Sequence, residues 1–375
     1  MCPKLPRLNF CMPTYIYKLG HCSSLAQSEF ASLSESDYEA DSLWLHSSYQ
    51  MNVNQSGSLV FGAQVIASLA QFDEVEILAK VSEHLADNPS KKIGLYLPRI
   101  NTKEIFKAVK PHCSKINLST KLPNFGHWKQ TNNWLVLIQF KERYIIARIN
   151  SYSDQEFWNK LDSTLPESDM RRGIINLKLA RSLLNLTSQK NVWDSFAGQG
   201  RLIAAGMDLK DNFWASDLDT RVISQLNRNL KASTEFWDRS TMDKQKTETI
   251  AIIKETWDQD ASRISLHKFE TDFAIVTEGT LGQNFEKPPT MDQAREQVFK
   301  INKLWHELIN NYSDTALQEI VGCLPFYPKL NFVPYYGFLD TDNWQLVELS
   351  RKHQTLLYNR PNSLVGHMIF KLIKK

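Results

Sequence analysis

The segment NVWDSFAGQGRLIAAGMDLKDNFWASDLD, residues 191–219, constrains the fold of this chain more than any other. It divides into a short apolar strand (191–193), a loop carrying Asp194, Phe196, Ala197, Gly198 and Gly200, and a helix over residues 202–207. A second strand (213–215) follows and runs into Asp217, Leu218 and Asp219. Strand, tight loop, helix and strand make the right-handed crossover of an open parallel sheet, and such sheets take ligands beyond the carboxyl ends of their strands. A ligand is expected over residues 194–200 and beside Asp217.

The two glycines let the backbone turn sharply and approach a ligand, and Asp217 can accept hydrogen bonds from the neighbouring hydroxyls of a ribose. A dinucleotide fingerprint needs a third glycine three residues after the second, where this chain has Ile203. The loop also holds an acid, Asp194, where a pyrophosphate wants donors. An acidic loop suits a ligand with a cationic end, such as the amino group and sulfonium of S-adenosylmethionine. A bare strand-to-helix turn that binds nothing is the competing reading, and the ordered set of acid, Gly-x-Gly and second acid weighs against it.

VWDSFAGQG, followed by ASDLD and TRVISQLNRNL, resembles the first two cofactor motifs of class I methyltransferases. More narrowly it resembles the RNA methyltransferases that carry a THUMP domain and methylate the exocyclic amine of a tRNA guanosine. GIINLKLARSLLNL resembles the helix before their first motif, and YIYKLG, SSLAQSEF and LLYNRPNSLVGHMIFKL resemble their terminal segments. The resemblance implies a Rossmann-like α/β domain, mostly parallel with an antiparallel C-terminal hairpin, behind an α+β region containing a THUMP-like domain. It also implies S-adenosyl-L-methionine as cofactor, held by Asp194, Phe196, Ala197, Gly198, Gly200, Asp217 and Leu218.

The 375 residues suggest two or three domains. No run approaches the ~18 apolar residues of a membrane span, and Lys4, Arg7 and several prolines break up any secretory h-region. Five scattered cysteines without a C-x-x-C pair read as reduced thiols of a cytoplasmic protein. Neither a disulfide framework nor a metal site is expected.

Charge is unevenly spread. Residues 1–90 hold 4 Lys/Arg against 10 Asp/Glu, whereas residues 91–150 hold 12 against 2. In the basic segment KKIGLYLP reads as a strand, NTKEIFKAVK as a helix capped by Asn101, and WLVLIQF with YIIARIN as a hairpin around 141–143. Lys103, Lys107 and Lys110 share one helix face, with Phe106 and Val109 assigned to the core, while Phe125, His127 and Trp128 are placed to stack on bases. A solvated basic face is the bland alternative to nucleic-acid contact; confinement of the excess to 60 residues favours contact with RNA, by resemblance a tRNA. Residues 1–60, acidic, are read as a ferredoxin-like piece that positions the basic unit.

DFAIVTEGTLG, residues 272–282, should decide the chemistry. FAIV reads as a buried strand whose end faces the same crevice as Asp194. In amine methyltransferases the next residues are Asp or Asn, two prolines and an aromatic, which hold the amine by its hydrogens and stack on the extruded base. Here they are Glu278, Gly279, Thr280 and Leu281. Glu278 can still accept an amine hydrogen and take its proton, with Thr280 and Leu281 bordering the base. A strand ISLHKF should lie by the adenine, bringing His267 and Lys268 there, after a mostly helical excursion over residues 231–262. Asn284, Tyr358 and Arg360 are weaker candidates for the cleft, and His367, within a strand pattern, is assigned to core or edge.

These readings give three parts: residues 1–60, a THUMP-like unit over 61–165, and a methyltransferase domain over 171–375. The expected activity is methylation of the N2 amine of a tRNA guanosine, with no membrane partner and the need for a protein partner left open. A noncatalytic RNA-binding protein of the same fold is the alternative, prompted by the altered motif; an enzyme methylating a DNA adenine or a protein amide ranks third.

Overall fold

The computed structural model describes residues 13–34, 36–131, 133–168, 174–242, 251–264, 269, 271–312, 315–349, 354–360 and 362–375. The chain forms two compact units, residues 1–23 with 34–155, and residues 24–33 with 156–375. Helix α1 (Ser23–Ser34) is thus counted with the second unit, although the strands on either side of it belong to the first. No helix among the described residues is long and apolar enough to cross a membrane.

One sheet runs through the first unit. Its strands are β1 (Tyr15–Leu19), β2 (Tyr38–Ala40), β3 (Trp44–Ser47), β4 (Leu59–Leu69), β5 (Lys92–Tyr96), β6 (Lys115–Leu118), β7 (Trp134–Phe140) and β8 (Arg143–Tyr152), in the order β2-β3-β1-β4-β8-β7-β5-β6. The boundary expected at residue 60 therefore falls within β4, in the middle of a continuous sheet. Strand β7 shows why the apolar run WLVLIQF folds as it does: successive side chains point to opposite faces. Trp134, Val136 and Ile138 enter one core cluster, Leu135 and Leu137 the other. The hairpin joins Phe140 to Arg143 in register, with Lys141 in the left-handed region at φ 53°.

Helices α2 (Glu74–Asp87) and α3 (Thr102–Val109) cover the second of these faces, and Asn101 caps α3 by accepting from the Lys103 amide at 2.9 Å. Phe106 departs from expectation. By the 3.6-residue turn it lies about 60° from Lys103, so it stands 41% exposed among Lys103, Lys107 and Lys110 while Ile105 and Val109 are buried. The opposite happens in α4 (Phe125–Thr131), where Phe125 and Trp128 pack onto the core beside Tyr152 and His127 alone of the three aromatic candidates is exposed.

The second unit holds α5 (Gln155–Thr164), α6 (Leu177–Asn185), α7 (Arg201–Gly206), α8 (Thr220–Met242) and α9 (Met291–Asn311). Its strands are β9 (Asn191–Asp194), β10 (Asn212–Ser216), β11 (Ile252–Trp257), β12 (Phe273–Val276), β13 (Leu317–Phe326), β14 (Trp344–Leu346), β15 (Leu356–Tyr358) and β16 (Gly366–Lys374). The sheet order is β11-β10-β9-β12-β13-β16-β14, with β15 also paired to β16. Strands β9 to β13 are mutually parallel, and β16 runs antiparallel between β13 and β14. This is the Rossmann-like α/β sheet with an antiparallel C-terminal hairpin; the strand order reverses at β9/β12, where such sheets bind ligands.

The edge strand corrects the sequence reading. Residues 252–257, assigned to a helical excursion, pair with β10, whereas Ile264 and Phe269 are buried outside any strand. An edge strand half in water reads as polar, which hid it. His267 and Lys268 lie outside the described residues.

Buried polar contacts lock α6 and α7 behind the sheet. Arg181, 1% exposed, donates twice to Asp208 at 2.6 and 2.9 Å and once to the Ala205 carbonyl at 3.0 Å, with its guanidinium over Trp158. Arg181→Ala strands Asp208 and empties that space; a loss of about 3–5 kcal/mol is expected, read as a fall of roughly 10 °C in melting temperature. An unchanged melting temperature would show the pair to be dispensable.

Candidate functional site

The carboxyl ends of β9, β10 and β12 open onto a cavity of about 840 Å³. Asp194, Phe196, Ala197, Gly198, Asp217, Leu218, Glu278, Thr280 and Leu281 all line it, so nearly the whole expected set converges on one space. Gly200 does not line the cavity. It sits at φ 79° at the start of α7, and a Cβ there would meet Leu226 of α8 at 2.8 Å, so its part is the close approach of α8 to the start of α7. Gly198, at φ 50°, has nothing within 4 Å of where a Cβ would lie, leaving its backbone open to a ligand.

Hydrogen bonds hold the loop to the end of β10. The Ala197 amide donates to the Ser216 carbonyl at 2.8 Å, and the Gly198 amide to Asp217 Oδ2 at 2.9 Å. Asp217 Oδ1 accepts from the Asp219 amide at 3.0 Å. A carboxylate offers about four lone-pair sites, so Asp217 braces the loop and keeps capacity for ribose hydroxyls. Arg201 secures the far side of the loop, donating Nε to the Ile175 carbonyl at 2.9 Å and pairing with Asp162.

Asp194 ends β9 and is 2% exposed, yet its Oδ1 has no hydrogen-bond partner. Burial pushes its carboxyl up to about 7; the Thr277 hydroxyl and the Phe196 amide work against the rise, and the carboxylates of Asp217 and Glu278 add to it. An orphaned buried acid is unfavourable by itself. It fits a cationic ligand group brought to that oxygen, which would supply the missing donor and the missing charge.

Sequence reasoning missed two further groups. Asp260, just past β11, lines the cavity; its Oδ1 caps Ser262 through the amide at 2.9 Å and the hydroxyl at 2.8 Å, which together hold its carboxyl below the ordinary range. The strand expected beside the adenine was read at ISLHKF, whereas β11 ends at Trp257, three residues before Asp260. His367, assigned to core or edge, is in fact at the cavity, with Nε2 at 2.6 Å from Glu278 Oε1. Of the weaker candidates, Asn284 and Arg360 line the cavity; Tyr358 stacks edge-on against His367.

Among solved structures, TrmN from Thermus thermophilus aligns over 96% of this chain and 100% of its own, at 12% identity and a TM-score of 0.47. An rRNA methylase from Streptococcus thermophilus aligns over 50% of this chain and 87% of its own, at 15% identity and a TM-score of 0.25. Magnesium protoporphyrin IX methyltransferase (ChlM) from Synechocystis with bound SAM aligns over 58% and 79%, at 10% identity and a TM-score of 0.29. At such identities the likeness concerns fold alone. No protein-family model matches the chain, and no curated protein does.

Proposed function

We propose that this chain is an S-adenosylmethionine-dependent methyltransferase acting on RNA, with the exocyclic N2 amine of a guanosine in tRNA as its target. The observation that carries the reading is the shared cavity at the switch point of the sheet, lined by the orphaned Asp194, by Asp217 and by Glu278. S-adenosylmethionine, when bound, supplies an electrophilic methyl group on a sulfonium. Asp194 would hold its amino group, Asp217 its ribose, and Asp260 with Leu218 its adenine end. Glu278 would accept a hydrogen of the target amine, Thr280 and Leu281 bordering the base. Alignment of amine and methyl group would supply most of the rate.

RNA delivery is assigned to the first unit, where Lys103, Lys107 and Lys110 flank the exposed Phe106. Charges on one helix face meet phosphates while the ring stacks on a base. Converting the three lysines together to alanine is expected to weaken binding to total tRNA about tenfold at 0.1 M salt and to lower the salt slope by about 2. Unchanged binding and slope would remove α3 from the RNA surface.

The deciding experiment is transfer of label from S-adenosylmethionine to total tRNA of a strain lacking the gene, with mass identification of the product nucleoside. Labelled N2-methylguanosine is the expected result. The four altered motif positions favour a second reading, an RNA-binding protein without catalysis. Cofactor binding by calorimetry with no label in any RNA would select it.

A further inference from the structure

Glu278 follows β12 and His367 is the second residue of β16, yet their side chains meet at 2.6 Å. The sheet explains the meeting. An antiparallel strand begins where its parallel neighbours end, so β16 delivers His367, in register with Pro325, to the ligand end of the sheet. Glu278 is acceptor-only when ionised, which makes Nε2 the protonated nitrogen. Nδ1 is buried without a partner. A buried orphan nitrogen disfavours the fold, and Met368, Ile369 and Phe370 beside it fill their places without one. Packing alone does not account for a histidine there.

We infer that His367 is a positioning residue for Glu278: its Nε2–H anchors Oε1, fixes the carboxylate rotamer, and leaves Oε2 as the acceptor for the target amine. Oε2 has no protein partner among the described residues. The inference rests on the proposed function. Methylation of an amine requires that one N–H bond break with its electron pair staying on nitrogen; Oε2 takes that proton and passes it to bulk water, while His367 keeps its own. The imidazole thus substitutes for the rigidity that two prolines would give the stretch Glu278–Leu281.

The test compares wild type, His367→Leu, His367→Gln, Glu278→Ala and the double variant Glu278→Ala/His367→Leu, by label transfer to total tRNA and by calorimetric binding of S-adenosylhomocysteine. His367→Leu is expected to lower kcat about 30-fold with KM for tRNA and cofactor affinity within threefold. His367→Gln, which can place an amide donor near Nε2, is expected to recover at least a third of wild-type kcat. In the Glu278→Ala background the leucine change should have no further effect, because its partner is gone. Unchanged kcat in His367→Leu, equal losses in the leucine and glutamine variants, or additive losses in the double variant would each overturn the inference. If wild type labels no RNA, the proposed function fails separately. Crystal structures of wild type and His367→Leu with S-adenosylhomocysteine then decide: a Glu278 turned out of the cavity in the variant sustains the positioning role, and an unmoved one ends it.

Discussion

Glu278→Ala is expected to lower kcat for methyl transfer at least 100-fold while S-adenosylhomocysteine binds as in wild type. The carboxylate stands just past the carboxyl end of β12 and lines the cavity together with the loop over residues 279–282. In the proposed reaction its removal would take away the acceptor that holds the amine and the base that relieves it of a proton. In the proposed reading Asp194 and Asp217, not Glu278, hold the cofactor, so the two readouts should separate. Single-turnover label transfer measures the first and calorimetry the second. Full activity in the alanine variant would mean that a backbone carbonyl holds the amine instead and that Glu278 only caps its loop.

Asp194→Asn should weaken the cofactor about 100-fold at pH 8, because it replaces a charged hydrogen bond to an ammonium group, worth about 1.5–3 kcal/mol, by a neutral one. The same residue gives a pH signature. Its folded value of about 7 lies above the ordinary carboxyl value of 3.8. A raised acid contributes stability that is present below pH 4, is lost as pH rises through 7, and is absent above. The ligand-free Asn variant should therefore melt with wild type at pH 4 and above it at pH 8. Cofactor affinity runs the other way: only ionised Asp194 answers the ammonium, so wild-type affinity should fall up to tenfold per pH unit below about 7. Flat affinity between pH 5 and 8 would put the cationic group elsewhere.

Much of this site was legible because it is local. Residues 191–219 carry strand, glycine turn, helix and acid within one crossover unit, so spacing along the chain translates directly into position on the sheet. The buried strand Phe273–Val276 was legible for the same reason, as four consecutive apolar residues with no exposed face. What stayed hidden depends on neighbours distant in sequence. His367 lies 89 residues from Glu278, and only the placement of β16 beside β13 joins them. The edge strand at Ile252 leaves Ile252 and Lys254 exposed and only Trp257 buried, so it imitates a surface insertion. Phe106 and Trp128 exchanged roles, one going out and the other in, because a single aromatic on a short helix does not declare which face the sheet will cover.

The path of α1 bears on how the molecule is made. Glu29, fully buried, accepts from Ser182 at 3.1 Å and from Asn185 at 2.6 Å, and Leu25, Ala26 and Phe30 are buried with it. The first of the two units thus gives up a helix from between its opening strands, and the second cannot be completed from residues 156–375 alone. A fragment beginning at residue 156 would remove Glu29 from Ser182 and Asn185 of α6 and uncover the apolar seat of the helix. On the ribosome, α1 emerges more than 140 residues before the strand that bears Asp194. Domains ordinarily fold in order of synthesis; here the earliest helix has to wait for the latest unit, which makes the interval before α6 appears the time when this chain most needs protection from aggregation.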